Sequence, residues 1–232
     1  LRDKAASLSN LEIEWHYIGH LQRNKAKYVA PVAACVESVD SLELAEAMSR
    51  RAGRRIGCLI EVSIGAEKTK SGVEPSSVEE LARGIASLPN LELRGLMVIP
   101  PFEPDGEKSR PYFRNLRELL AKTNEALAPI RMTDLSMGMS HDFEVAIEEG
   151  ATIVRVGTAI FGRQSAVQID DAQLAAAQQV AADQRGAEHA DQVRFEFVEP
   201  AHDVRMVDVR AAPHEFGMRE PGCAVGKEEL RL

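Results

Sequence analysis

Few cysteines, few aromatics and no long apolar run set the first limits. The 232 residues include three cysteines, Cys35, Cys58 and Cys223, widely scattered and without a CxxC pair. That excludes a disulfide framework, gives no ligand spacing for a structural zinc site, and fits a reducing cytoplasm. No stretch approaches the roughly 18 uninterrupted apolar residues of a membrane-spanning helix, and no basic segment followed by an apolar one marks a secretory signal. Lys/Arg runs are missing too. With a net charge of -8 and a pI of about 5.4, the chain is a poor candidate for binding a nucleic-acid backbone. What remains is an ordinary globular composition, 44% hydrophobic and 28% charged, able to bury a sizeable core. The chain begins with Leu1 rather than Met, within what reads as the polar end of a helix, and the beginning of the protein is expected to be missing.

Six apolar, β-rich runs stand out, at 13–18, 36–39, 56–64, 91–99, 132–136 and 152–156. Ile60-Glu61-Val62 and Leu96-Met97-Val98 read as strands covered on both faces. Helical patterns lie between the runs. The segment 41–52 follows Asp40, placed three residues before Glu43 as in a capping box, and is expected to stop at Gly53. Ser76 and Ser77 precede Glu79 and Glu80 in the same way. Over 112–127, Phe113, Leu116, Leu120 and Leu127 share one face. A short helix after Ser140 closes at Gly150.

Strand and helix alternate six times, which implies parallel strands with right-handed crossovers. The repeat averages roughly 28 residues, so eight units need about 220 residues, near the lower range of a (β/α)8 barrel. Two units, about 60 residues, are lacking, and they are expected to be lacking at the front. A six-stranded open doubly wound sheet is the alternative, without a Gly-rich nucleotide loop to support it. After Arg163 the composition changes. Residues 168–190 suit one exposed helix, 193–198 and 204–209 alternate as a hairpin would, and 213–232 is expected to be loosely ordered. The domain expectation is a partial barrel over 1–163 and a C-terminal extension, partly helical or disordered, over 164–232.

Three segments carry candidate chemistry. The last unit, Thr152-Ile-Val-Arg155-Val-Gly157-Thr158, ends a strand in Val-Gly-Thr. In a β/α barrel the last strand ends carry the usual phosphate site, with Gly157 allowing close approach of an anion and Thr158 adding a hydroxyl; a plain strand end with a glycine turn is the alternative. One unit earlier, Ser140 in Asp134-Leu-Ser136-Met-Gly138-Met-Ser140-His-Asp142 either caps its helix or binds the same anion. Arg155 either points into the barrel, where it needs a partner, or outward as a surface charge. In Trp15-His16-Tyr17-Ile18-Gly19-His20, the two histidines read as strand and turn, and no metal pair is expected. Lys68 and Lys70 are expected to be solvated. No HExxH and no serine nucleophile elbow occurs.

These residues resemble the pyridoxal phosphate homeostasis proteins, single-domain relatives of the alanine racemase N-terminal barrel. The resemblance is carried by residues 14–25, by Lys70-Ser-Gly72, by Leu93-Arg-Gly-Leu-Met-Val-Ile-Pro100, and by the segments 135–144 and 154–162, in the family's order and spacing. It implies a (β/α)8 TIM barrel, N-terminally incomplete, that binds pyridoxal 5′-phosphate (PLP, a form of vitamin B6) at the strand C-termini. By position, Ser140, Gly157 and Thr158 match the phosphate donors. Arg155 matches the arginine facing the pyridine nitrogen, which keeps that nitrogen unprotonated and weakens the cofactor as an electron sink. The family's Schiff-base lysine, on a first strand reading like Val-Ser-Lys-Thr, has no counterpart here, and neither does the strand after it. The resemblance therefore implies a non-catalytic PLP carrier in cytoplasmic PLP homeostasis, with PLP-dependent apoenzymes as partners and no nucleic acid or membrane. A racemase-like enzyme is the alternative, although none of Tyr17, Tyr28 and Tyr112 is placed by motif as a second acid/base. A truncated inactive product is the third reading, since missing strands are expected to leave barrel edges exposed.

Overall fold

The computed structural model describes residues 1, 5–6, 13–65, 71–158, 194–197 and 205–208. The chain order is β1 (Glu14–Tyr17), α1 (Ala26–Val29), β2 (Cys35–Val39), α2 (Leu42–Ser49), β3 (Ile56–Glu61), α3 (Val78–Ala86), β4 (Leu91–Met97), α4 (Arg110–Leu127), β5 (Asp134–Met139), α5 (Phe143–Glu148), β6 (Ile153–Val156), β7 (Arg194–Phe197) and β8 (Arg205–Asp208). All six expected βα strands are present. β1 to β6 pair in sequence order, each parallel to the next. The sheet closes on itself, so the doubly wound alternative does not hold.

Closure comes from an unexpected source. β7 runs parallel beside β6, with Val154 opposite Phe195. β8 is antiparallel both to β7 and to β1, with Trp15 opposite Val207. The expected hairpin partners are therefore real, and they sit where two further βα units would stand in an eight-unit barrel. This corrects the expectation of exposed edges: the outer N–H and C=O groups of β1 and β6 are paired. The helix expected over 168–190 and the loosely ordered end over 213–232 lie outside the described residues.

Continuous apolar runs form the strands because both of their faces are covered. Every residue of β2, β3 and β6 is buried. The outer face packs on the helices. α4 lays Phe113, Leu116, Leu120 and Leu127 against the sheet, as their spacing predicts. Each such side chain contributes about 1.5–3 kcal/mol of burial. Inside the barrel, Cys35, Leu59, Met97 and Ile153 make a separate apolar plug.

Two helix starts differ from expectation. Ser41, not Asp40, precedes α2; its hydroxyl donates to Asp40 at 3.1 Å and neither side chain caps the helix. α2 then ends at Ser49 rather than running on to Gly53. Ser77 precedes α3 likewise without a side-chain cap, after a 3-10 turn over Pro75–Ser77. The turn already winds the chain in helical sense, so Ser77 has αR angles and lacks the extended backbone of a capping residue.

Candidate cofactor site

Strand register decides which side chains face the lumen. Adjacent partners on parallel strands share a face. His16 pairs with Cys35, Cys35 with Gly57, Met97 with Ser136, and Ser136 with Ile153. Counting in twos along each strand adds Leu59 and Glu61 on β3 and Arg155 on β6 to that inner face. Arg155 accordingly points inward and is fully buried. Its Nη1 donates to Ser136 Oγ at 2.5 Å and its Nη2 to the Val98 carbonyl at 2.7 Å. Ser136 Oγ in turn donates to Glu37 Oε2 at 2.5 Å, and Glu37 Oε1 lies 2.7 Å from His16 Nδ1. His16, Glu37, Ser136 and Arg155 thus form one hydrogen-bonded chain across the lumen, all of it buried. Since an unpaired charge in such surroundings is very costly, the guanidinium and the carboxylate compensate each other through the serine hydroxyl. The sequence pattern assigns Glu37 and Ser136 no role; the available sign was an acid between the valines of a buried strand.

The ligand atoms of His16, Cys35 and Glu37 lie within 4.8 Å of one another. The guanidinium of Arg155, reached through Ser136, already supplies positive charge there. His20 stands apart from this group: it is exposed, with Nδ1 3.5 Å from Asp40.

Ser140 and Gly157 come together. The Gly157 amide donates to Ser140 Oγ at 3.1 Å, joining the ends of β5 and β6. Ser140 is not the cap of the next helix. That position belongs to Asp142, whose carboxylate accepts from the Met139 amide at 2.7 Å. The turn depends on Gly138, whose φ is +92° and where an added Cβ would meet Ala146 Cβ at 2.6 Å. Thr158 follows Gly157 and is exposed. The loops after β4 and β5 meet beside them, where the rings of Phe102 and His141 lie 4.8 Å apart. Lys68 and Lys70 lie outside the described residues.

On the other side of the mouth, Glu61 ends β3. Ser71 Oγ donates to its Oε1 at 2.7 Å. The loop returns here through Gly72, whose φ of +106° and close approach to the Glu61 carbonyl leave no room for a side chain. Burial pushes the Glu61 carboxyl above its ordinary range; the Ser71 bond opposes this, Asp40 adds to it, and Arg155 and His20 oppose it. Glu61 and Arg155 are therefore within electrostatic reach of each other. Elsewhere on β3, burial pushes the Cys58 thiol up to about 12.

A sequence profile of the alanine racemase N-terminal domain matches residues 5–165. The pyridoxal phosphate homeostasis protein of Aquifex aeolicus is 48% identical over 164 residues, 69% of this chain and 72% of that protein. Its namesake from Pseudomonas aeruginosa is 44% identical over 164 residues, covering 68% of each chain. Among solved structures, PipY of Synechococcus elongatus, in a form with PLP bound, superimposes with a TM-score of 0.62 at 34% identity over 67% of this chain and 74% of that one. With a profile match over most of its length and relatives of this identity, the chain belongs to the alanine racemase N-terminal-domain family and, within it, to the pyridoxal phosphate homeostasis proteins.

Proposed function

We propose that this chain binds pyridoxal 5′-phosphate at the barrel mouth and acts as a non-catalytic carrier in cytoplasmic PLP homeostasis, exchanging the cofactor with PLP-dependent apoenzymes. In this reading residues 1–163 are the cofactor-binding part, with 164–232 an extension that contributes strands to the sheet. The observation that carries it is the 3.1 Å contact between the Gly157 amide and Ser140 Oγ. A backbone donor and a hydroxyl converge there from two neighbouring strand ends, while the buried Arg155 stands on the lumen side. That donor set suits a phosphate. Further support comes from PipY, solved with PLP bound, and from the names of the relatives. Among the described residues no helix is long and apolar enough to cross a membrane.

In this role Ser140, Gly157 and Thr158 hold the phosphate, and Arg155 faces the ring nitrogen and keeps it unprotonated. When bound, the cofactor supplies an aldehyde and an electron-withdrawing ring, and a cation beside the ring nitrogen weakens that withdrawal. The test is a titration of the full chain with PLP and with pyridoxal, read by absorbance and tryptophan fluorescence. Binding is expected to depend on the phosphate. Gly157→Val is expected to abolish it, and Ser140→Ala to weaken it about tenfold, the equivalent of about 1.4 kcal/mol. Ser140→Asp keeps an acceptor for the Gly157 amide but repels phosphate, so wild-type affinity in that variant would overturn the assignment. Protein-dependent deuterium wash-in at the α-carbon of alanine would favour the racemase-like alternative.

A further inference from the structure

The cavity beside Glu61 has no part in the phosphate reading. It measures about 250 Å³ and opens at the C-terminal ends of β3 and β4, where Glu61, Ser63, Ser71, Ile64, Ile99 and Pro101 line it. Glu61 is only 5% exposed, yet among the described residues its Oε2 is buried without a hydrogen-bond partner. Oε1 is taken by Ser71. A buried carboxylate with one oxygen unsatisfied is costly unless something donates to it.

We propose that Glu61 and this cavity form a subsite for the ammonium group of a small primary amine, such as an amino acid or an alkylamine. Three features select that chemistry. The unsatisfied atom is an acceptor, so the ligand must be a donor. The carboxylate repels anions, which separates this subsite from the phosphate pocket. Glu61, with the hydroxyls of Ser63 and Ser71, gives fewer oxygens than the six to eight that calcium takes, whereas an ammonium needs only about three acceptors. Ile64, Ile99 and Pro101 supply an apolar wall for a short carbon chain. The volume is below the roughly 300–1,000 Å³ of pockets for drug-sized molecules, which suits a ligand of amino-acid size. Asp40 adds negative charge near Glu61, and Arg155 and His20 counter it.

The inference rests on the PLP reading only for its purpose: an amine subsite beside a pyridoxal pocket brings together the two kinds of compound that react with one another. Binding at the subsite does not require the cofactor. The experiment is calorimetric titration of the full 232-residue chain with n-butylamine, butyrate and n-butanol. Each is run alone and with pyridoxine 5′-phosphate, which has no aldehyde to react with amines. Butylamine is expected to bind in preference to the other two, and Glu61→Gln to weaken it about tenfold or more. Ser71→Ala, which removes one acceptor but leaves the carboxylate in place, is expected to weaken binding less than Glu61→Gln does. Circular dichroism melts establish that the variants are folded. Equal amine affinity in Glu61→Gln, butyrate binding as well as butylamine, or no amine binding in the wild type would each overturn the subsite. Failure of the cofactor reading shows separately, as loss of pyridoxine 5′-phosphate binding in the wild-type chain while the amine still binds.

Discussion

Among the described residues, one arginine–carboxylate cluster lies inside the barrel and another outside, and they differ in what surrounds them. Outside, Arg110, Arg114 and Arg117 of α4 converge on Glu149 at the end of α5, at 3.2, 2.9 and 3.0 Å. Glu149 itself is buried, but Arg114 and Arg117 are about half-exposed, so their charges keep much of their hydration. Inside, Arg155, Ser136, Glu37 and His16 have no exposure at all. The outer cluster fastens a long helix to a short one at little desolvation cost. The inner one gives up hydration for every charge it holds, and apolar side chains of the same volume would often serve stability as well or better. Charge retained at that cost points to use, under the proposed function as the floor of a cofactor pocket.

Breaking the inner cluster is expected to have the largest effect. Arg155→Ala leaves the Glu37 carboxylate buried without its compensating cation and should cost about 3–5 kcal/mol in urea unfolding. The double variant Arg155→Met, Glu37→Leu should recover most of that stability and still fail to bind PLP, separating the stabilising role from the binding one. Glu149→Gln on the outer cluster should cost less, about 1–2 kcal/mol once solvent screening of the arginines is taken into account. The two losses should also answer differently to salt: 1 M NaCl shrinks the second and leaves the first nearly unchanged.

The pH dependence sharpens the comparison, because two buried carboxylates move in opposite directions. The hydrogen bond from Arg114, with the hydrogen bond from Arg110 and the charge of Arg117 behind it, holds the Glu149 carboxyl below its ordinary 4.5, against the effect of burial. Its contribution is therefore present above that value and is lost as pH falls through the lowered one. Burial raises the Glu61 carboxyl above the same 4.5. Relative to the unfolded chain, folding favours the neutral form, so stability is lost as pH rises through the raised value. Glu61→Gln should therefore raise the melting temperature at pH 8, and the gain should fade below pH 4.5, by a smaller amount than either cluster variant costs. The smallest signal is chemical. Cys35 and Cys58 are buried, and the Cys58 thiol lies at about 12, so at pH 8 a thiol reagent should label neither in the folded chain. Labelling should speed up in Arg155→Ala more than in Glu149→Gln, in the order of the stability losses.

Much of this was readable in advance. The six strands follow from apolar runs bounded by turns, and the face of α4 from the spacing of Phe113, Leu116, Leu120 and Leu127. That Ser140 and Gly157 meet follows from consecutive units being neighbours. Whether Ser140 caps a helix was not readable, because Asp142, two residues on, competes for the same position and occupies it. Asp40 misled for a similar reason: its carboxylate receives the Ser41 hydroxyl instead of a helix amide. Glu37 and Ser136 escaped because their partnership spans the lumen, and the register shifts in β2 and β5 blur a count in twos. Glu61 escaped because its environment is made by a loop that returns to the strand only at Val73. The partners of the two tail strands depend on pairing across nearly the whole chain, which no local pattern records.

That last pairing bears on how the molecule is made. Glu14 finds its strand partner at Asp208. A ribosome extends the chain by about 5–20 residues each second, so β1 waits on the order of ten seconds or more before its partner is synthesised. Until then one border of the nascent sheet is open to whatever strand it meets. Distant contacts also form late in refolding, since the entropy of closing the longest loop must be met before the contact gives anything back. The seam between first and last strand is thus the step at which a cell's chaperones would have most to protect.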